Sequence, residues 1–251
     1  MCRLTTNSCD DIIGFYMLGD VKTRFLAHLR SQNKAPATIV AYGKDIDQLI
    51  LSLQKQGRIS FDEIAKDDLD TFIAELQKQK FTPKTISRKI NSIKTLYRFM
   101  QTEGIITANL ATELSHPKYE LKAPRILSKM EYRALRDVCR SDIRTYAIVE
   151  LFLQTGLRIS EVADLKLSEL VDSTLQIDGR SIPLNQSAYE ALTGYIKIRP
   201  ERDGSTHVFI TKNGKPLLVR NIRTAIDRAL RVAGIEDAKV NDLRVTFIAY
   251  Q

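Results

Sequence analysis

The residues best placed to do chemistry stand together at Thr155-Gly156-Leu157-Arg158-Ile159-Ser160-Glu161. The apolar run from Ile148 to Leu153 ahead of them reads as a buried helix. Thr155-Gly156 stops it, because glycine takes the left-handed backbone that closes a helix end. A second short helical pattern follows at Ile159, Val162, Ala163 and Leu165. Arg158 therefore sits on a tight turn between two core helices. A permanently charged, planar fork held rigidly suits bidentate recognition of a phosphate. Glu161, three residues on, is within helical reach to orient it. The plainer reading of the same residues is a structural arginine paired with Glu161 at a helix junction.

A second set of cations lies upstream. Between Gln77 and Thr102 there are seven basic residues and no acidic one. At about 100° per residue, Lys84, Arg88, Lys94 and Arg98 share a face about 120° wide. Ile86, Ile90, Ile93, Tyr97 and Met100 take the opposite face. The apolar stripe docks on other helices and the basic stripe faces out. A solvated charge face is the bland alternative, but such faces usually mix signs. No acid within this helix neutralises the stripe, so it reads as a contact to the DNA backbone.

Composition supports a polyanionic partner. The 251 residues carry 38 Lys+Arg against 30 Asp+Glu, a net charge of +8, and nucleic acid is the first candidate. With 43% hydrophobic residues the chain can bury a sizeable core. No run approaches the ~18 apolar residues of a membrane span. Cys2, Cys9 and Cys139 form no metal-ligand spacing and no disulfide framework, which implies no metal and a reducing cytoplasm. The stretch Ile12 to Leu18 is short and interrupted by Gly14, a poor signal peptide.

The elements that must position these residues follow the apolar periods. Residues 1–20 form an N-terminal extension without a clear pattern. Residues 21–106 carry four helices. The second starts at Ala35-Pro36 and ends at Gly57, and the fourth starts at Thr82-Pro83 and stops at Glu103-Gly104. Residues 107–125 read as a linker, since Asn109, His116-Pro117 and Ala123-Pro124 break helical periodicity. Two domains on such a linker could close round a duplex. From 126 to 251 a second domain opens with a capping box, Ser128-Lys129-Met130-Glu131. After Leu170 the period becomes two, and Asp178-Gly179 marks a hairpin between Leu175-Ile177 and Ile182-Leu184. A helix at 188–198, a third strand at Val208-Phe209-Ile210 and a helix at 221–233 complete the reading. The fold class is mainly α, in two domains, the second with a small antiparallel sheet.

The motif T-G-L-R-I-S-E-V (Thr155 to Val162) closely resembles the first arginine box of the tyrosine recombinases, or phage integrases. Asn241-Asp242-Leu243-Arg244-Val245-Thr246 resembles the second box, usually H-x-L-R-H-T. The entry A-P-A-T-I-V-A-Y to the second helix, Gly214-Lys215-Pro216-Leu217 and Ala233-Gly234-Ile235 follow the family's order. The resemblance covers about Val21 to the end. It implies a helical core-binding domain ahead of a catalytic domain, with Arg244 opposite Arg158 across the scissile phosphate. It implies attack by a tyrosine hydroxyl, a 3′-phosphotyrosyl link, and resealing by a 5′-hydroxyl, with no metal or nucleotide cofactor. The arginines stabilise charge on the non-bridging oxygens. Four protomers on paired inverted-repeat sites of double-stranded DNA are implied as the working assembly.

Three departures qualify this. Asn241 stands where the family has histidine, and it can hydrogen-bond a phosphate but cannot shuttle a proton. Val245 replaces a second histidine. Arg180 stands on the hairpin where the family has a lysine that protonates the leaving oxygen, and arginine is a poor general acid; it also reads as an ordinary turn arginine. The family's nucleophile lies a few tens of residues beyond the second arginine, and the given sequence stops at Gln251. Tyr250, six residues past Arg244, reads as core. His28, His116 and His207 match no family position. Two functions follow. One is a site-specific recombinase whose nucleophile is absent from this chain. The other is a non-catalytic duplex-DNA-binding protein of the same fold. A basic RNA-binding protein is disfavoured by the lack of an aromatic stacking platform.

Overall fold

The computed structural model describes residues 17–120, 123–200 and 204–251. Cys2, Cys9 and nearly all of the stretch from Ile12 to Leu18 lie outside them. The chain divides into two compact units, Met1–Leu121 and Lys122–Gln251.

The first unit packs four helices: α1 (Leu18–Ser31), α2 (Pro36–Lys55), α3 (Lys66–Lys78) and α4 (Pro83–Thr102). Pro36 and Pro83 sit in the first turns of α2 and α4, where a missing N–H costs nothing. Thr82 caps α4 by accepting from Thr85 N at 3.3 Å. All five apolar positions of the α4 wheel are buried: Ile86, Ile90, Ile93, Tyr97 and Met100. Each large aliphatic among them stabilises the unit by about 1.5–3 kcal/mol. The segment read as a linker begins packed on this core. Its 3-10 turn Leu110–Glu113 is followed by Leu114, and Ala111 and Leu114 are buried. His116 Nδ1 lies 3.0 Å from Ser87 Oγ of α4.

The second unit is built round α6 (Ile143–Thr155), which packs against α5 (Lys129–Cys139), α8 (Gln186–Ile198), α9 (Val219–Val232) and α10 (Val240–Ala249). Ile148, Val149, Leu151, Phe152 and Leu153 are all buried, and so is Glu150 within the same run, where it pairs with Arg136 of α5. The Ser128 capping box forms: Glu131 N reaches Ser128 Oγ at 3.3 Å and Ser128 N reaches Glu131 Oε2 at 2.8 Å. A short helix α7 (Ile159–Asp164) leads to a sheet of order β1 (Leu170–Val171), β2 (Thr174–Ile177), β3 (Arg180–Pro183). Its pairs are antiparallel, with Leu175 opposite Ile182 and Ile177 opposite Arg180. Asp178 (φ 48°) and Gly179 (φ 72°) are both left-handed, the turn that matches strand twist.

One expected element is absent. Val208-Phe209-Ile210 is not a strand, although all three are buried. Val208 N donates to Leu165 O at 2.7 Å and Leu217 N to Phe209 O at 2.9 Å, so its backbone groups are satisfied from two sides. Only isolated bridges result, Lys166 to His207 and Ile210 to Pro216. Pro216 has no N–H to extend a ladder. Burial supplied the apolar triplet, not sheet pairing.

Candidate phosphate-gripping cleft

The cleft begins at the end of α6. Gly156 is left-handed (φ 61°, ψ 27°), and its N–H donates to Phe152 O at 3.2 Å. Leu157 is buried and pins the turn from below. Arg158 then takes an extended backbone (φ −75°, ψ 151°) as the residue preceding α7. Its side chain is 61% exposed, so it stands on a fixed root and reaches outward. Glu161 holds it: Oε2 accepts the Arg158 N–H at 2.6 Å and Oε1 accepts Nη1 at 2.9 Å.

Arg244 comes from α10. Buried Leu243 and Thr246 fix that helix. Thr246 Oγ1 accepts from Leu127 N at 2.9 Å and donates to Asp242 O at 2.7 Å. Arg244 Nη1 donates to the carbonyl of Gly156. The turn that roots Arg158 therefore also anchors Arg244.

Arg158, Asn241 and Arg244 line one cleft of about 690 Å³, together with Phe152, Leu157, Ser160, Arg223, Asp227 and Lys239. Four of its side chains are cationic and one is acidic, so it suits an anion. Arg180 does not line it. Arg180 Nη2 donates instead to Glu161 Oε1 at 2.5 Å, tying the hairpin to the Arg158 turn. No tyrosine lines the cleft among the described residues. Tyr250 is not core, contrary to the expectation from sequence. It stands at the C-terminal end of α10, 52% exposed, and its hydroxyl donates to Leu127 O at 2.7 Å. Burial pushes the Cys139 thiol up to about 11, away from nucleophilic use.

Burial alone would raise the Glu161 carboxyl. The Arg158 N–H and the guanidiniums of Arg180 and Arg158 outweigh it and hold the group below its ordinary 4.5. A depressed folded-state value stabilises above the unfolded value and is lost as pH falls through the depressed one. The link between hairpin and turn is therefore expected to persist on acidification until pH drops below 4.5. Hydrogen exchange of the 178–180 turn measures this, and loss of protection near neutral pH would contradict it.

The α4 stripe is only partly free. Lys84, Lys94 and Arg98 have no carboxylate partner among the described residues, and Lys94 is half-buried. Arg88 pairs with the buried Asp45 of α2. The expectation that nothing neutralises the stripe holds within α4 alone, since the acid comes from another helix. The helical periods also left Arg223 and Lys239 of the cleft unassigned, and with them a second basic face on α9. Arg220, Arg223, Arg228 and Arg231 are all exposed there, with Asp227 exposed among them but ion-paired to none of the four among the described residues. The helical wheel applied to α4 would have found that face.

The described residues form two helical units, and the second brings two arginines to one cleft whose charge suits an anion. Residues 125–250 match the phage integrase family, and residues 23–104 match the N-terminal SAM-like domain of phage integrases. The chain is 32% identical to a tyrosine recombinase XerC of Listeria innocua, over 86% of this chain and 78% of the relative. It is 28% identical to a tyrosine recombinase XerC of Bacillus pumilus, over 90% and 81%. The fold is similar to a lambda integrase dimer bound to a core site (TM-score 0.73, 18% identity, 93% and 89% covered). It is also similar to a lambda integrase tetramer bound to a Holliday junction (TM-score 0.74, 18% identity, 96% and 74% covered). The chain belongs to the tyrosine recombinase, or phage integrase, family.

Proposed function

We propose that this chain binds duplex DNA at inverted-repeat sites and serves site-specific recombination, with the arginine cleft gripping one phosphodiester. The observation that carries this is the shared root of the two arginines: Arg244 hooks the Gly156 carbonyl while Arg158 leaves the same turn. Two guanidiniums brought to one cleft match the two non-bridging oxygens of a phosphate and stabilise the extra charge of its transition state. The lambda integrase neighbours are a dimer and a tetramer on DNA, which supports assembly of four copies on paired sites. Asn241 donates a hydrogen bond to the phosphate but carries no proton away. Arg180 supports the grip through Glu161.

A second reading has an observation of its own: no tyrosine lines the cleft among the described residues. On that reading the chain occupies recombination sites without cutting them. Duplex containing a nick beside the site traps a covalent protein–DNA adduct if a tyrosine attacks. The chain of 251 residues is expected to bind such DNA and form no adduct. An adduct that maps to a tyrosine of this chain would reject the second reading.

Replacing Lys84, Lys94 and Arg98 together with alanine is expected to weaken binding to all duplexes alike. The slope of log affinity against log salt should flatten by up to about 0.9 for each phosphate left without its cation. Fluorescence anisotropy on a salt series reads both, and unchanged affinity would refute the stripe. Equal affinity for single strands and duplex would point to a different nucleic acid.

A further inference from the structure

We infer that Asp45 is a positioning residue that presents Arg88, by one edge of its guanidinium, to a single backbone phosphate. The inference rests on the duplex-DNA reading above and adds to it a device in the first unit. Asp45 is 2% exposed, and both its oxygens are occupied. Oδ1 accepts from Lys89 Nζ at 2.9 Å. Oδ2 accepts from Ser92 Oγ at 2.8 Å and from Arg88 Nη1.

The two cations on this carboxylate differ. The Lys89 side chain is 4% exposed. It also donates to Gln48 Oε1, and its ammonium lies 5.4 Å from the centre of the Phe81 ring. Lys89 is the internal counter-ion, and its hydrogen-bonding needs are met inside the unit. The Arg88 side chain is 48% exposed. It holds Asp45 through Nη1 alone, and its remaining nitrogens have no partner among the described residues.

If charge were all that mattered on this face, a carboxylate beneath it would be a defect, because it cancels one cation. Its geometry gives it a use. Anchoring one nitrogen removes rotamer freedom before DNA arrives, so less is lost on binding. The free edge of the fork can still meet two phosphate oxygens. A lysine at this place keeps the charge and could still touch Asp45, but its single nitrogen has no planar edge with which to meet two phosphate oxygens while that contact is held.

Two experiments test this. Arg88→Lys keeps the net charge and alters only a half-exposed side chain. It is expected to lose roughly two- to tenfold in duplex affinity, the range for one unfrozen long side chain. Wild-type affinity in R88K would overturn the proposal. The pair Asp45→Asn with Lys89→Met also keeps the net charge and leaves no buried lone cation. It is expected to lose affinity by a similar factor in the wild-type background and by none in an Arg88→Ala background. An equal loss in both backgrounds would make Asp45 merely structural. A gain would make it merely neutralising. Either overturns the proposal, and R88K decides alone if the double variant fails to fold. A wild-type chain without duplex affinity would sink the functional reading itself, whereas binding that R88K leaves intact sinks this inference alone.

Discussion

Gly156→Ala is expected to destabilise the second unit by about 2–5 kcal/mol and to abolish tight DNA binding with it. Two independent costs add. The residue is left-handed at φ 61°, which costs a side-chain-bearing residue about 1–2 kcal/mol. A Cβ there would also overlap Phe247 Cδ1 and lie 3.0 Å from its Cε1, and overpacking of this kind costs about 1–3 kcal/mol. Phe247 belongs to α10, so relief of the clash moves the helix that carries Arg244. The Gly156 carbonyl that Arg244 hooks would move too. Phe247→Ala removes every ring atom the Cβ meets, so Gly156→Ala made in that background should cost only the backbone term. Denaturant unfolding measures the loss, and a change below about 0.5 kcal/mol, the ordinary surface level, would refute the packing argument.

Arg158→Ala and Arg244→Ala are each expected to weaken duplex binding by roughly ten- to a hundredfold, with little change in stability for Arg158. Hydrogen bonds between charged partners contribute about 1.5–3 kcal/mol each. Arg158 is 61% exposed and, among the described residues, pairs only with Glu161, so its removal leaves no large cavity. Arg244 is half-buried and ties α10 to the Gly156 turn, so its removal costs some stability as well. Arg158→Lys should recover little of the binding, because a point charge does not reproduce the fork. Titration of both variants with a fixed duplex decides this, and affinities within twofold of wild type would show that the cleft is not where DNA is held.

The features legible in the chain are those set by local rules. Gly156 as the helix stop, the Ser128 capping box and the Asp178-Gly179 turn depend on residues within a few positions of each other. Each forms as its chemistry requires. The apolar wheel of α4 is also legible, since a buried stripe is periodic. What escapes is set by distant partners. Asp45 lies 43 residues from Arg88, and nothing in the α4 period announces it. Val208-Phe209-Ile210 looks like a strand because burial and sheet pairing favour the same residue types. Tyr250 follows the α10 period, but it is the residue that closes the helix, and nothing in the period shows that this end stays exposed. Lys239 enters the cleft only because α10 begins beside it. The hook from Arg244 to a backbone carbonyl has no sequence signature, though it joins the two arginine motifs into one site.

The most direct test of that joined site is the salt dependence of duplex binding for the two single alanine variants and the double. If Arg158 and Arg244 grip the same phosphate, either arginine alone still neutralises it. The single variants should then lose affinity with a nearly unchanged slope, and the double should flatten the slope by about 0.9, one phosphate's share. A flattening of about 0.9 in each single and about 1.8 in the double would place the arginines on two separate phosphates and contradict a shared grip.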